Sequence, residues 1–255
     1  MIMMNDTPEK LPVPAIGKAF AILEYLSGSS TPHTLQDIYC ALKLPRTTVF
    51  SLLGSLQACG AVTKLESGGY MPGIRLYCVG MSARISLENN RLIVPRLERL
   101  RDEIGHTVFF SLFDDGEQVV WEKVEGFESV YFKAYPGQRK RLNTSSAGKA
   151  IAAYLTDAEI QYSLSKGMDH STEKSITDPA LFLRHLEDVR AKGYAVDDEE
   201  GEIGIYCIGV PVFSGNGHVF GAVSMSMLKS RVHFSDFDRY IMSLKMAAGD
   251  ISTML

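Results

Sequence analysis

The chain has 255 residues, of which 45% are apolar and 22% are charged, and its formal net charge is −4. This composition is typical of a soluble globular protein with two modest domains. The opening segment is too polar for a signal peptide, no apolar run approaches a membrane span, and the four cysteines lack a Cys-x-x-Cys pair. We therefore expect a cytoplasmic protein with reduced thiols and no membrane partner.

The first predicted helix covers residues 16–26 and ends at Gly28, after a flexible leader of residues 1–14. Two short amphipathic helices follow, separated by a tight break. Thr34 is suited to cap the first of them, with Asp37 as the carboxylate three residues on. Pro45 can open the second, and Gly60 ends it. The apolar positions repeat at helical spacing in both helices, at Leu35, Ile38, Tyr39 and Leu42 and then at Val49, Leu52, Leu53 and Leu56.

The second of these helices carries small polar residues opposite its apolar stripe, which suits a helix that enters the major groove of DNA. A hairpin with a Gly-Gly tip follows, between predicted strands at residues 61–65 and 70–71. Together these elements predict a winged helix-turn-helix, although the two helices alone would also suit a hairpin in an all-α bundle. The candidate contacts to DNA are Arg46, Thr47, Thr48 and Ser51 on the helix and Lys64 on the wing.

Phe50, on the same helix, is an open case. Its ring could meet a thymine methyl in the major groove, or it could pack under the helix. We therefore keep Phe50 outside the set of candidate contacts.

Charge divides unevenly along the chain. Residues 1–89 hold seven basic and six acidic residues, a balance of +1, and the remainder carries −5. The sign suits DNA binding, but the excess is small, so that one copy would neutralise few phosphates. We therefore expect two or more copies to act together on double-stranded DNA.

A connecting helix is predicted over residues 74–89, which separates a DNA-binding domain at 1–73 from a second domain at 90–255. In the second domain the patterns predict helices at 92–104, 145–155, 157–164, 179–192 and 235–254, with strands at 107–113, 118–124, 130–134, 194–197, 206–213 and 219–225. This mixture indicates an α+β fold, in which an antiparallel sheet carries helices on its faces.

The start of the helix at residue 145 is the first candidate for ligand binding. Ser145, Ser146, Ala147 and Gly148 would present N–H groups and hydroxyls to a carboxylate, helped by the helix dipole. The simpler alternative is that Ser145 only caps a packed helix, which is the commoner use of serine.

Three sequence motifs occur in order along the chain. Near the start stand KAFAILEYL and LPRTTVFSLL, and residues 137–155 read GQRKRLNTSSAGKAIAAYL. Further on come Gly193, Asp197, Glu200, Cys207-Ile208-Gly209 and Val212-Phe213. Their order and spacing resemble the IclR family of transcriptional regulators. The resemblance implies a winged helix-turn-helix joined by a helix to a GAF-like ligand-binding domain, with dimers formed through the DNA-binding domains and tetramers formed from pairs of dimers.

The resemblance also implies a set of effector contacts. Matched residue by residue, these are Ser146, Ala147, Asp197, Cys207, Ser224 and Ser226. The two serines at 224 and 226 alternate along a strand and therefore share a face. The cysteine would form a small, soft wall of the same cavity.

The chain departs from the family at several positions. It has Phe50-Ser51 where an aromatic residue or His is usually followed by Arg, so one customary basic contact is absent. It has Arg141 and Asn143 where Pro and His are common, and Ser214 where Asp or Asn is usual. These departures concern the operator sequence and the ligand, and the fold is compatible with all of them.

Two other kinds of site have candidate residues. The acidic run 197–200 offers oxygen ligands for a hard cation, but four consecutive acids cannot all face one ion. Cys207 with a histidine, or Ser145 with Lys149, would be a nucleophile pair, but no third orienting group accompanies either. We therefore predict no metal, cofactor or catalytic residue.

The combined prediction is an IclR-type regulator that binds a pseudo-palindromic operator as a dimer or tetramer. A small organic acid in the second domain would control it through the connecting helix. A small-molecule-metabolising enzyme and a DNA-independent sensor module are the alternatives.

Overall fold

The structure is a computed structural model that describes residues 12–86, 89–127, 130 and 132–255. It divides into two units, Met1–Leu87 and Glu88–Leu255. Most of the predicted leader, residues 1–11, lies outside the described residues. Among the described residues, none of the helices is both long and apolar enough to cross a bilayer.

The first unit is a winged helix-turn-helix. Its elements in chain order are α1 (Pro14–Ser27), α2 (Leu35–Leu42), α3 (Arg46–Ala58), β1 (Val62–Lys64), β2 (Tyr70–Pro72) and α4 (Ile74–Ser86). The predicted capping box of α2 is confirmed, because the Thr34 hydroxyl accepts the Asp37 N–H at 3.2 Å and the Asp37 carboxylate accepts the Thr34 N–H at 2.8 Å. Lys43 has a left-handed backbone, φ 52°, and this conformation makes the tight break between α2 and α3.

The core of this unit comes from the apolar stripes that the sequence predicted. It contains Ile22, Leu26, Ile38, Val49, Leu53, Val62 and Tyr70, all buried. The strands β1 and β2 pair antiparallel with Val62 opposite Pro72, and they form the wing. The predicted winged helix-turn-helix is therefore confirmed, and the all-α bundle is wrong.

The second unit is a six-stranded antiparallel sheet with helices on both faces. Its elements are α5 (Asn89–Ile104), β3 (Thr107–Asp114), β4 (Glu117–Val124), β5 (Arg139–Lys140), α6 (Ser146–Ala152), α7 (Asp157–Ser165), α8 (Pro179–Lys192), β6 (Ala195–Asp198), β7 (Ile205–Phe213), β8 (Val219–Leu228) and α9 (Phe237–Ser252). The strand order is β5-β4-β3-β8-β7-β6, and every pairing is antiparallel. The predicted α+β class is confirmed.

Alternation along the strands gives this sheet two different faces. On one face Phe110, Ile208, Val223 and Met225 pack in the main core with residues of α5 and α9. The other face carries the intervening residues and is partly covered by α6. Polar side chains are concentrated on that second face, and they are the ones that line the cavity described below.

The predicted strand at residues 130–134 is wrong for the described part of that segment, which forms no strand. The apolar character that suggested a strand is real, because Phe132 is buried against Phe109 and Val120. Its carbonyl, however, accepts a hydrogen bond from the Lys123 ammonium at 3.0 Å instead of from a neighbouring strand. The strand that pairs with β4 at this edge of the sheet is β5, which comes later in the chain.

Candidate functional site

The outward side of α3 is polar and open to solvent. Val49 and Leu53 are fully buried beneath it, whereas Arg46, Thr47 and Ser51 are exposed and Thr48 is half-buried. Phe50 is 63% exposed and therefore does not pack under the helix. We call Arg46, Thr47, Phe50 and Ser51 the recognition face.

The wing presents one basic residue. Lys64 is exposed at the end of β1, and its ammonium lies 5.6 Å from the centroid of the Tyr70 ring. Tyr70 itself belongs to the core. A cation held near a ring that is fixed in the core is suited to a phosphate contact beside the groove.

The second unit contains a cavity of about 700 Å³ on the polar face of the sheet. Of the eight predicted effector residues, the seven that line it are Ser145, Ser146, Ala147, Asp197, Cys207, Ser224 and Ser226. Strand register brings several of them together: Cys207 stands opposite both Asp197 on β6 and Ser226 on β8. Ser224 stands opposite Gly209.

Gly209 is what allows α6 to reach the sheet. A Cβ atom at this position would lie 2.6 Å from the Ser146 carbonyl oxygen and 2.8 Å from the Ala147 nitrogen. The missing side chain therefore lets the start of α6 rest directly on β7. Ser146 and Ala147 stand at the first two helical positions, where an N–H group has no intrahelical acceptor.

Two of the predicted groups at this helix start are already occupied. The Gly148 N–H donates to the Ser145 hydroxyl oxygen at 2.9 Å, and that hydroxyl donates to the Gln118 side-chain oxygen. Gly148 does not line the cavity. Ser145 therefore caps α6, and its hydroxyl hydrogen and the Gly148 N–H both have acceptors within the fold.

Asp197 is a buried carboxyl group in the cavity wall, 4% exposed. Its Oδ1 atom accepts the N–H groups of Glu200 at 2.8 Å and Gly201 at 3.3 Å. Burial raises the pKa of this carboxyl group, and the positive charge of Lys149 acts in the opposite direction. With Oδ1 taken by the backbone, Oδ2 is the atom that can accept a further donor.

Cys207 forms part of the cavity wall, and its thiol keeps its proton. Its sulfur is hydrogen-bonded to the Ser226 hydroxyl, 3.1 Å away. Burial raises the pKa of the thiol far above its ordinary value, and the neighbouring Asp197 raises it further. A thiol in this state is a poor nucleophile.

The four consecutive acids at 197–200 are all engaged within the fold. Asp198 pairs with Lys229 at 2.6 Å and with Lys174 at 3.6 Å, and Glu199 also pairs with Lys174. Glu200 pairs with the fully buried Lys149. Burial raises the pKa of Glu200, and Lys149 opposes that effect. Within the described residues no cluster of three or more His, Cys, Asp or Glu side chains could hold a metal ion.

Several lining residues were missed in the sequence. Ser111 and Gln118 lie in the cavity wall with Lys140 and Phe132. Gln118 donates from its amide to the Ser111 hydroxyl at 2.9 Å. The sequence did contain a signal for them. Ser111 is a polar residue in the mainly apolar strand VFFSLF, and Gln118 is one in the strand EQVVW.

The first unit is a winged helix-turn-helix with an exposed helix, and the second is an α+β domain with a buried polar cavity. Together they define a helix-turn-helix transcriptional regulator. The chain belongs to the IclR family. The family model described as bacterial transcriptional regulator IclR C-terminal matches residues 86–253, and the IclR helix-turn-helix domain matches residues 15–66. The predicted family is therefore confirmed, and the chain is a regulator and not an enzyme.

Individual relatives agree with this placement. The chain is 31% identical over 243 residues to the HTH-type transcriptional repressor AllR of Salmonella typhimurium, covering 94% of this chain and 89% of AllR. An IclR regulator of Alicyclobacillus acidocaldarius superposes with a TM-score of 0.83 at 25% identity, covering 95% and 99% of the two chains. An IclR homologue of Microbacterium hydrocarbonoxydans, solved as a complex with 4-hydroxybenzoate, has a TM-score of 0.77 at 22% identity, covering 94% and 98%.

Proposed function

We propose that the chain is a cytoplasmic repressor that binds a pseudo-palindromic operator as a dimer. Arg46, Thr47, Thr48 and Ser51 would contact bases and phosphates, and Lys64 would contact a phosphate beside the groove. The observation that carries this proposal is the exposure of the recognition face above a fully buried stripe. Repression is proposed because the relative AllR is named a repressor.

Two observations support action as a dimer, or as a tetramer of two dimers. The charge excess of residues 1–89 is only +1, which is small for one copy acting alone on DNA. In addition, Phe20 on α1 is 55% exposed, and Ile74 and Tyr77 on α4 are 74% and 64% exposed. Large apolar side chains left open to water are typical of a surface that another chain covers.

We assign residues 1–73 to DNA binding, 74–89 to the connection and 90–255 to effector binding. The effector would be a small organic acid inside the cavity, in contact with Ser146, Ala147, Asp197, Cys207, Ser224 and Ser226. A cavity of about 700 Å³ is within the range that holds small molecules. The 4-hydroxybenzoate bound by the Microbacterium homologue supports this class of ligand.

Selection of operator sequences from random DNA duplexes tests the first half. Wild-type protein should enrich sites with two related half-sites about one helical turn apart, since a two-fold dimer presents two recognition helices. Enrichment of no sequence would contradict the proposal. The second half is tested by thermal shift with a panel of carboxylic acids, because a ligand at 100 times its Kd adds about 2.7 kcal/mol to the free energy of unfolding.

A further inference from the structure

Three of the charged side chains that line the cavity, Lys133, Arg139 and Glu202, are already in ion pairs. Arg139 donates to Glu117 at 2.8 Å and to Asp114 at 2.7 Å. Arg141 also donates to Glu117, at 2.8 Å. At the mouth of the cavity Lys133 and Glu202 are 2.6 Å apart. These groups are therefore occupied before any ligand arrives.

Lys140 is different. It lies between Arg139 and Arg141, so that its side chain points to the opposite side of the strand. It stands directly opposite Gln118, whose side chain belongs to the cavity wall. In the described part of the chain no acidic side chain forms an ion pair with Lys140, which is half-buried and lines the cavity.

The positive charge of Lys140 affects the pKa values of two other groups that line the cavity. Burial raises the pKa values of Asp197 and Cys207, and the positive charge of Lys140 lowers both. Two residues before Lys140, Gln138 also lines the cavity, and none of the described residues donates a hydrogen bond to its buried side-chain oxygen. A half-turn of this amide would present its NH₂ group at the same place. This side of the cavity therefore offers a cation and a donor that await a partner.

The part of the cavity wall formed by Asp197 and the start of α6 is better suited to bind a hydroxyl than a carboxylate. The Oδ2 atom of the buried Asp197 accepts hydrogen bonds, and its charge would repel a second carboxylate. The N–H groups of Ser146 and Ala147 donate, and a hydroxyl is the small group that can donate to Asp197 and accept from these N–H groups at once. Ser224 and Ser226, on the same wall, can serve either role.

Resting on the proposed function, we propose that Lys140 binds the anionic group of the effector. The effector is then a hydroxy acid, with its carboxylate at Lys140 and Gln138 and its hydroxyl between Asp197 and the start of α6. This orientation places the negative charge away from the helix start that the sequence favoured. It also makes the residue at 140 a determinant of specificity for acids.

The test compares acids with their neutral amides. The probes are glycolate with glycolamide, and 4-hydroxybenzoate with 4-hydroxybenzamide, each measured by calorimetry against full-length protein. Wild-type protein should prefer the acid of at least one pair. Lys140→Met should weaken binding of that acid by about 10- to 100-fold, the strength of a hydrogen bond to a charged group, and should leave the amide within about threefold.

Two further variants complete the design. Lys140→Arg keeps the charge and should keep most of the preference for the acid. Lys192→Met removes an exposed lysine of α8 outside the cavity and should bind both probes as wild type does. Acetate and benzoate, which lack the hydroxyl, should bind wild-type protein more weakly than glycolate and 4-hydroxybenzoate.

Three results would overturn the proposal. Lys140→Met could bind the acid with wild-type affinity, it could lose acid and amide equally, or the acids without a hydroxyl could bind as tightly as those with one. In these cases a small acid remains the effector and only its orientation is wrong. Binding of no probe acid and no acid of the thermal-shift panel to wild-type protein would overturn the proposed effector class and this inference together.

Discussion

The recognition face and the cavity present polar groups in opposite ways. Arg46, Thr47 and Ser51 project into solvent from a helix whose other side is buried. In the cavity, by contrast, Ser146 and Asp197 are 1% and 4% exposed, and many of the surrounding side chains are already bonded to one another. Substitutions on the recognition face should therefore cost little folding stability, whereas substitutions in the cavity should affect stability and ligand binding together.

The largest expected effect is on stability, at the buried pair of Lys149 and Glu200. Lys149→Met should lower the free energy of unfolding by about 3–5 kcal/mol, because Glu200 is left buried without its counter-charge. The loss should become smaller as the pH falls, because burial raises the pKa of Glu200 and the variant lacks the Lys149 charge that opposes this effect. Denaturant unfolding measures both.

The paired control for this change is the double variant Lys149→Met with Glu200→Gln, which should recover much of the loss because no buried charge remains. Thr47→Ala on the recognition face should stay within about 0.5 kcal/mol of wild type. Equal destabilisation by Lys149→Met and Thr47→Ala would break the contrast between the two regions.

The next effect is on DNA binding. Arg46→Ala should weaken operator binding by about 1–3 kcal/mol per half-site, because it removes the cation of the recognition helix. A mobility-shift titration at fixed salt measures this. Arg184→Ala, which removes an exposed arginine of α8, is the matched control and should bind as wild type does. Wild-type affinity in Arg46→Ala would show that α3 is not the reading helix.

A smaller effect concerns the ligand. Ser224→Ala combined with Ser226→Ala should weaken binding of the effector acid by about 1 kcal/mol or more per lost hydrogen bond. Operator binding without ligand should be unchanged. Ser165→Ala, an exposed serine at the end of α7, serves as the control in the same calorimetric titration. Normal ligand binding by the double variant would place the effector elsewhere.

The smallest effect is a pH dependence. Burial raises the pKa of Asp197 above the ordinary 3.8, so between the unfolded-state and folded-state pKa values the folded protein holds a proton that the unfolded chain releases. Stability contributed by this group is therefore full below pH 3.8 and falls as the pH rises towards the folded-state pKa. Asp197→Asn should be more stable than wild type at pH 7 and should have a shallower decline over that window. A steeper decline in unfolding titrations would contradict the assignment.

The fold was predictable from the sequence wherever local pattern and packing agree. The cap at Thr34, the stripe through Val49 and Leu53 and the Gly-rich wing each depend on neighbours close in the chain, and each is confirmed. The prediction of a strand at residues 130–134 was wrong because the pattern of apolar residues does not show whether a partner strand is available. There the Phe132 carbonyl is satisfied by the Lys123 side chain.

The cavity was predictable in its membership and less so in its chemistry. Seven of the eight predicted effector residues line it, and these include all six that were matched through the family resemblance. The sequence could not indicate that the Ser145 hydroxyl and the Gly148 N–H bond to groups within the fold. Nor could it indicate that Arg139 and Arg141 share Glu117 while Lys140 forms no ion pair with any acid that the structure describes. Those facts depend on contacts between distant segments, and short-range patterns carry no information about them.

The central claim is that an acid in the cavity and DNA at the recognition face are coupled. The direct measurement is the operator Kd of wild-type protein with no ligand and with a saturating concentration of the tightest-binding acid, at one salt concentration. The operator Kd should change by about 5- to 150-fold, and the operator must change the Kd of the acid by the same factor. An unchanged operator Kd, with the acid shown by calorimetry to occupy the protein–DNA complex, would contradict it.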